Sequence, residues 1–314
     1  MYFPYLRGKQ NELLALRECA EKLSKSSKVV PIIEPVTKSF SAILRCINTL
    51  CEQNADHIVV YNSPSGDIGK SPVLMNQLIE DIKTNTQSQH FAFILSSSTK
   101  ASELRSFLKD IGERKYSFIH SSAYPDAESL FDLSATPNFG HHIFISSNVS
   151  RAYKKQFIDF SRVNIRGSFR AVNKNSEYSD PDHEFFTDDH LTYIDDGFSG
   201  FGDYTTLSEK FKSGGFQPYT AALHLTHEVN GTLDIWVRHF LSNAYEYPTS
   251  DQAALIHEAL PAMINFITEH KGYFSFSESV KEIIKIHKEG RSTNLGYMKK
   301  LAIKHHIELL CKIL

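Results

Sequence analysis

Arg7 and Lys9 flank Gly8 near the start of this chain, and Glu34 stands inside the apolar run VVPIIEPV at residues 29–36. Two cations beside a glycine suit a phosphate or carboxylate: both donate charge-assisted hydrogen bonds, and glycine lets the backbone approach closely. A carboxylate inside an apolar run is costly unless paired. Glu34 therefore reads either as a general base or metal ligand, or as the structural partner of Arg7. His120 closes the run YSFIHSSA at 116–123 and could exchange a proton near neutral pH. Its plainer reading is a hydrogen-bonded structural histidine. Glu34 and His120 are the catalytic candidates; Arg7, Lys9, Asn62 and Asp203 are the candidates for holding an anionic ligand.

These residues act together only if the fold brings strand ends to one place. Three blocks, FAFILSSS (91–98), YSFIHSSA (116–123) and HHIFISSN (141–148), each end an apolar run in a serine pair, at a spacing of 25 residues. That spacing accommodates one strand, one turn and one helix, and buried parallel strands read as short β-rich apolar runs. Arg7, Glu34, Asn62, Ser96, Ser121 and Ser146 all fall at such strand ends, 25 to 34 residues apart. Six βα units in this cadence predict an α/β protein built as a (β/α)8 TIM-barrel-like domain; a doubly wound sheet shares the local pattern. The serines are expected to cap the helices that follow, since no G-x-S-x-G elbow surrounds them.

Strand seven is expected over Ile165–Val172 and strand eight over Ala221–Thr226. Between them Asn173–Tyr219 reads as a long insertion after strand seven, on the face where barrel sites sit. The barrel then covers 1–245, and 246–314 forms a helical extension packed on it. The insertion carries nine acidic residues from Glu177 to Asp203, with His183 and His190 nearby, but no recognised metal-ligand spacing, so an acidic solvated loop is the expectation and no metal is assigned. Its segment GFSGFGDY (197–204) reads as a lid or partner-docking loop, with Phe198 and Phe201 as anchors. Its glycines do not follow a strand and open a helix, which excludes a dinucleotide fingerprint. No motif names a cofactor. His224, on an apolar strand, is expected to be a core histidine.

The composition is that of a soluble globular protein: 41% hydrophobic, 22% charged, net charge −2 and 314 residues. Such a balance excludes generic DNA binding by a basic surface. The four cysteines have no CxxC spacing and read as reduced and structural, which predicts a cytoplasmic address. No apolar run reaches transmembrane length, and the N-terminus lacks a signal-peptide core.

The opening YFPYLRGKQNELLALRE, the segment GFSGFGDY and the later AALHLTHEVNG…HF resemble a group of uncharacterised bacterial proteins related to the phage "beta protein" family. Members are often found beside a nuclease-like partner in mobile or defence regions. The resemblance spans most of residues 1–260, departs at His227 where Tyr is expected, and implies a barrel-like fold and a role in anti-phage defence. It assigns no reaction. Arg7-Gly8 and Glu34 also resemble the HRG and ExD motifs of glycerophosphodiester phosphodiesterases, but Leu6 replaces the histidine and Val36 the second acid. The expectation is therefore a defence component whose barrel mouth senses or processes a phosphate- or nucleotide-like anion. The alternatives are a non-catalytic barrel that docks a nuclease-like partner, and a metal-dependent phosphodiesterase.

Overall fold

The computed structural model describes residues 1–214 and 217–314. Seven strands alternate with six helices: β1 (Tyr5–Leu6), α1 (Gln10–Ser26), β2 (Ile32–Ile33), α2 (Ser41–Glu52), β3 (Ile58–Val60), α3 (Pro72–Asn85), β4 (His90–Leu95), α4 (Ala101–Ile111), β5 (Lys115–His120), α5 (Ser129–Ser134), β6 (Phe139–Ile145), α6 (Arg151–Lys155) and β7 (Arg162–Arg166). A long excursion follows, carrying β8 (His183–Thr187) and α7 (Asp189–Thr192), before β9 (Gly200–Asp203). Strands β1 to β7 and then β9 form one parallel sheet in that order. Tyr2 bridges both Val29 and Phe201, and the Phe3 amide donates to the Phe201 carbonyl at 2.8 Å, which closes the sheet on itself. This is a (β/α)8 barrel.

Alternation along each strand sorts the apolar side chains into two layers. Tyr5, Ile32, Val60, Ile94, Ile119 and Ile165 fill the lumen. Leu6, Ile33, Val59, Phe93, Phe118 and Phe144 point outward and pack under the helices. Strands buried on both faces need no polar alternation, which is why they read as continuous apolar runs.

Two expected strands change place. Strand seven lies at Arg162–Arg166 and not at Ile165–Val172. Strand eight is GFGD, inside the segment expected to be a lid; Ala221–Thr226 belongs to a different sheet. The reason lies in the lumen. A Cβ on Gly200 would run into the Phe3 ring, and one on Gly202 into the Phe3 carbonyl and Ile165. The closing strand must therefore present glycine inward, and a strand without β-branched residues gives no apolar signature.

The second sheet is antiparallel, in the order β10 (Ala222–Glu228), β11 (Ile235–Leu241), β8. Leu223, Leu225 and Phe240 pack against α8 (Gln252–Glu269), α10 (Glu278–Lys288) and α11 (Leu295–Ile313), which follow the short α9 (Lys271–Phe274). Helix α11 joins this unit to the barrel through α1: Lys300 and Lys304 meet Glu18 at 2.6 and 3.0 Å, and Lys22 meets Glu308 at 2.9 Å. Among the described residues no helix is long and apolar enough to cross a membrane.

Candidate functional site

The inward parity of β1 to β3 continues past their ends and brings Arg7, Glu34 and Asn62 to the mouth of the barrel. Glu34 is buried; it accepts a hydrogen bond from Ser63 Oγ at 2.9 Å and lies 3.7 Å from Arg7 Nε. Burial, and then the Glu34 carboxylate, hold the Tyr5 phenol well above its ordinary range. Asn62 works as a piece of backbone: its Nδ2 donates to the Ile94 carbonyl at 3.0 Å and its Oδ1 accepts from the Ile94 amide at 2.7 Å, extending β3 against β4.

A segment running from Tyr204 to Lys212 crosses the rim of this mouth. The Arg7 guanidinium lies over the Tyr204 ring at 4.8 Å and donates to the carbonyls of Ser208, at 3.0 Å, and Glu209. Lys9 donates to the Lys212 carbonyl at 2.5 Å and sits over the Phe211 ring at 4.8 Å. Glu209 reaches Ser147. Both expected anion-binding cations thus also hold the segment that lies over the rim.

Beneath that segment, between the rim and the second sheet with its helices, lies a cavity of about 280 Å³. Arg7, Lys9, Lys210, Lys212 and Lys299 line it, and Glu12 is the only acidic side chain lining it among the described residues. Leu223, Met263, Ile283 and Met298 supply an apolar wall. Glu12 accepts the Arg7 amide at 2.5 Å. Burial raises its pKa to about 7, against the opposing pull of that hydrogen bond and of Lys9, Arg7 and Lys299. Its charge is therefore only partly present at neutral pH, and the cleft is electropositive.

The other expected residues lie elsewhere. His120 points outward from β5 into the helix layer, fully buried, with Nδ1 3.0 Å from the Tyr153 hydroxyl and Nε2 3.0 Å from His142 Nδ1. Burial depresses its pKa to about 3. It faces neither mouth nor cleft, because one residue of parity separates it from Ile119 in the lumen. Asp203 is buried on the outer face of β9, where it accepts Tyr2 Oη and the Thr205 amide, each at 2.7 Å, and approaches His306 of α11 at 3.4 Å. It fastens the barrel seam and stands apart from the cleft. Phe201 is 1% exposed, packed between Tyr2 and Tyr193 at 5.3 and 5.2 Å. Phe198 lies under the Arg162 guanidinium at 5.1 Å. With Phe201 inside the core, this pair forms no exposed docking patch.

None of the paired serines caps a following α-helix, and the middle pair laces strand ends together. Ser121 Oγ donates to the Leu95 carbonyl at 2.8 Å, and Ser122 Oγ accepts the Ser97 amide at 2.8 Å. Ser150, outside the pairs, is what caps α6. The acidic excursion is not simply solvated. Asp189 pairs with Arg166 at 2.7 Å, Glu184 with Arg170 at 2.9 Å and Asp182 with Arg238 at 3.2 Å. His183 and His227 meet at 2.9 Å, and the His227 ring stacks on Tyr273 at 5.4 Å. No group of three or more His, Cys, Asp or Glu side chains stands ready for a metal among the described residues.

Glu12, Lys210, Lys212 and Lys299 carried no individual sequence signal. They come from a helix start, a rim segment and the last helix, and only tertiary structure gathers them. The fold and cleft define an eight-stranded βα barrel with an electropositive cavity between its rim and an added antiparallel sheet. No protein-family model matches the chain, and neither does any curated protein.

Proposed function

We propose that the chain binds a small phosphate-bearing anion, nucleotide-like in kind, in the rim cleft, as a component of a bacterial anti-phage or mobile-element defence system. The binding half rests on one observation: five cationic side chains and a single half-neutralised carboxyl surround a cavity of about 280 Å³. That volume is near the lower end of the roughly 300–1,000 Å³ range of ligand pockets. A cavity of this charge attracts anions, and its apolar wall suits a ligand with an uncharged body. The defence half rests on the resemblance carried by residues 1–260. Arg7 and Lys9 bind at the rim, and any closing or opening of the Tyr204–Lys212 segment over the ligand is coupled to them, since they hold its carbonyls.

Calorimetric titration of the full chain with inorganic phosphate and with adenosine 5′-monophosphate tests the binding half. Both should bind, more weakly as salt is raised, and Lys299→Glu should weaken both by roughly tenfold or more. Absence of binding by either probe to the wild type sinks the cleft reading. Plaque counts on cells carrying the native operon test the other half: Lys299→Glu, shown to be folded and expressed, should lose protection. Full protection in that variant would separate the cleft from defence.

A further inference from the structure

Within the cleft stands a group that neither the charge argument nor the rim residues use. His224 lines the cavity from β10. Its Nδ1 lies 2.7 Å from Nδ1 of His239, its register partner on β11. Nε2 of His239 lies 2.8 Å from Glu184 Oε1 on β8. Arg170 Nε in turn lies 3.0 Å from that oxygen and 2.9 Å from the other. The chain Arg170–Glu184–His239–His224 thus runs across all three strands of the small sheet and ends in the cleft.

Its hydrogen-bond polarity is settled by its charged end. Glu184, paired with Arg170, is a carboxylate and can only accept, so His239 donates from Nε2. Burial holds both imidazoles toward the neutral form. A neutral His239 with its proton on Nε2 has a bare Nδ1, so the proton between the two rings belongs to Nδ1 of His224. Nε2 of His224 is then a bare acceptor. It has no partner among the described residues and is not among the buried orphaned atoms. Phe169 and Tyr178 fix the ring plane, each edge-on at 4.9 and 4.8 Å.

A second observation marks the same cleft as built for an occupant. Thr206, which also lines it, is 4% exposed, and its Oγ1 has no hydrogen-bond partner among the described residues. Buried polar atoms are almost always paired, so this orphan at the cavity points to a polar ligand.

We propose that the ligand of the cleft presents a hydrogen-bond donor, a hydroxyl or an amine, to Nε2 of His224, while the cations of the same cleft hold its anionic end. Phosphate alone then satisfies half of the site; a nucleoside monophosphate, with ribose hydroxyls and an exocyclic amine, satisfies both halves. The inference rests on the anion-binding reading and deepens it. His224 is a specificity residue, and Glu184 and His239 are positioning residues that choose its tautomer.

Imidazole nitrogen resonances of the full-length protein test the tautomer without any ligand. The His224 ring, assigned by its loss in His224→Leu, should carry its proton on Nδ1 and show a bare Nε2. A proton on Nε2 at neutral pH overturns the proposal. Titrations with adenosine 5′-monophosphate and inorganic phosphate test the selectivity. His224→Leu should weaken the nucleotide by roughly tenfold, the worth of one hydrogen bond, and leave phosphate unchanged. Glu184→Gln keeps the His224 ring in place and should weaken the nucleotide in the same selective way. Nucleotide affinity unchanged in these variants, or phosphate lost in parallel with it, removes the role of His224 while leaving the anion cleft standing. Failure of wild type to bind phosphate removes the cleft and this inference together.

Discussion

At neutral pH the Glu12 carboxyl is divided between its two charge states, because burial raises its pKa to about 7 while the Arg7 amide, Lys9 and Lys299 pull it down. Below that pH it is neutral and the cleft keeps its full positive charge; above it a carboxylate opposes an incoming anion. Affinity for inorganic phosphate should therefore fall as pH rises from 6 to 8, beyond the change due to the ligand's own ionisation. Glu12→Gln, which still accepts the Arg7 amide, should flatten that slope in parallel titrations; an unaltered slope would clear Glu12 of the effect. Asp203 answers a different test. It is buried with three partners, on the segment before β1, the segment after β9, and α11, so Asp203→Ala leaves a phenol, an amide and an imidazole short of an acceptor. A loss of roughly 3 kcal/mol in urea unfolding is expected, with phosphate affinity per folded molecule unchanged. Legibility at this scale turned on parity. The run YSFIH identifies a strand, but only the barrel decides that Ile119 looks inward and His120 outward.

Strands one to six could be read from sequence because each is buried on both faces and so concentrates β-branched and aromatic residues between polar helices. Strand eight could not, since its lumen positions, Gly200 and Gly202, are emptied by Phe3. A genuine strand, β10, then drew the assignment that belonged to β9. The cleft was legible only in part: Arg7 and Lys9 stand out beside Gly8, but its other cations come from positions 210–212 and 299, and no local pattern marks a site assembled by α11 docking on α1. Two substitutions test the corrected strand. Gly202→Ala puts a methyl against the Phe3 carbonyl of the segment that leads into β1, where backbone must move. It should prevent closure, seen as loss of cooperative unfolding or of soluble protein. Phe201→Ala empties a buried aromatic site and should cost roughly 3–5 kcal/mol in chemical denaturation. If Phe201→Ala unfolds at the wild-type urea midpoint, the segment is not a barrel strand.

Over the whole molecule, several buried histidines are held in the neutral form, and this sets how stability responds to acid. Burial lowers the pKa of His90 and His120 to about 3, of His142 to about 2, and of His141 and His227 to about 4. In the unfolded chain each returns to about 6.5. Between 6.5 and 4 the unfolded state therefore binds protons that the native state refuses, so stability is full above 6.5 and is lost as pH falls through that window. Each such histidine contributes a slope of up to about 1.4 kcal/mol per pH unit. Glu12 and Asp189, raised by burial to about 7 and about 6, act in the opposite sense over part of the same range. Two carboxyls against five histidines leave a net loss. The urea midpoint should fall steadily from pH 6.5 to 4.5. It should fall less steeply when His120 and His142, which bond each other through Nε2 and Nδ1, are both replaced by leucine, even though the paired substitution shifts the midpoint at pH 7. The slope separates the titration from the packing, because a lost contact moves the whole curve whereas a lost proton site tilts it. A midpoint that holds level from pH 6.5 to 4.5 in the wild type would mean that these rings take up protons in the folded state, and that the layer between β5, β6 and their helices admits water.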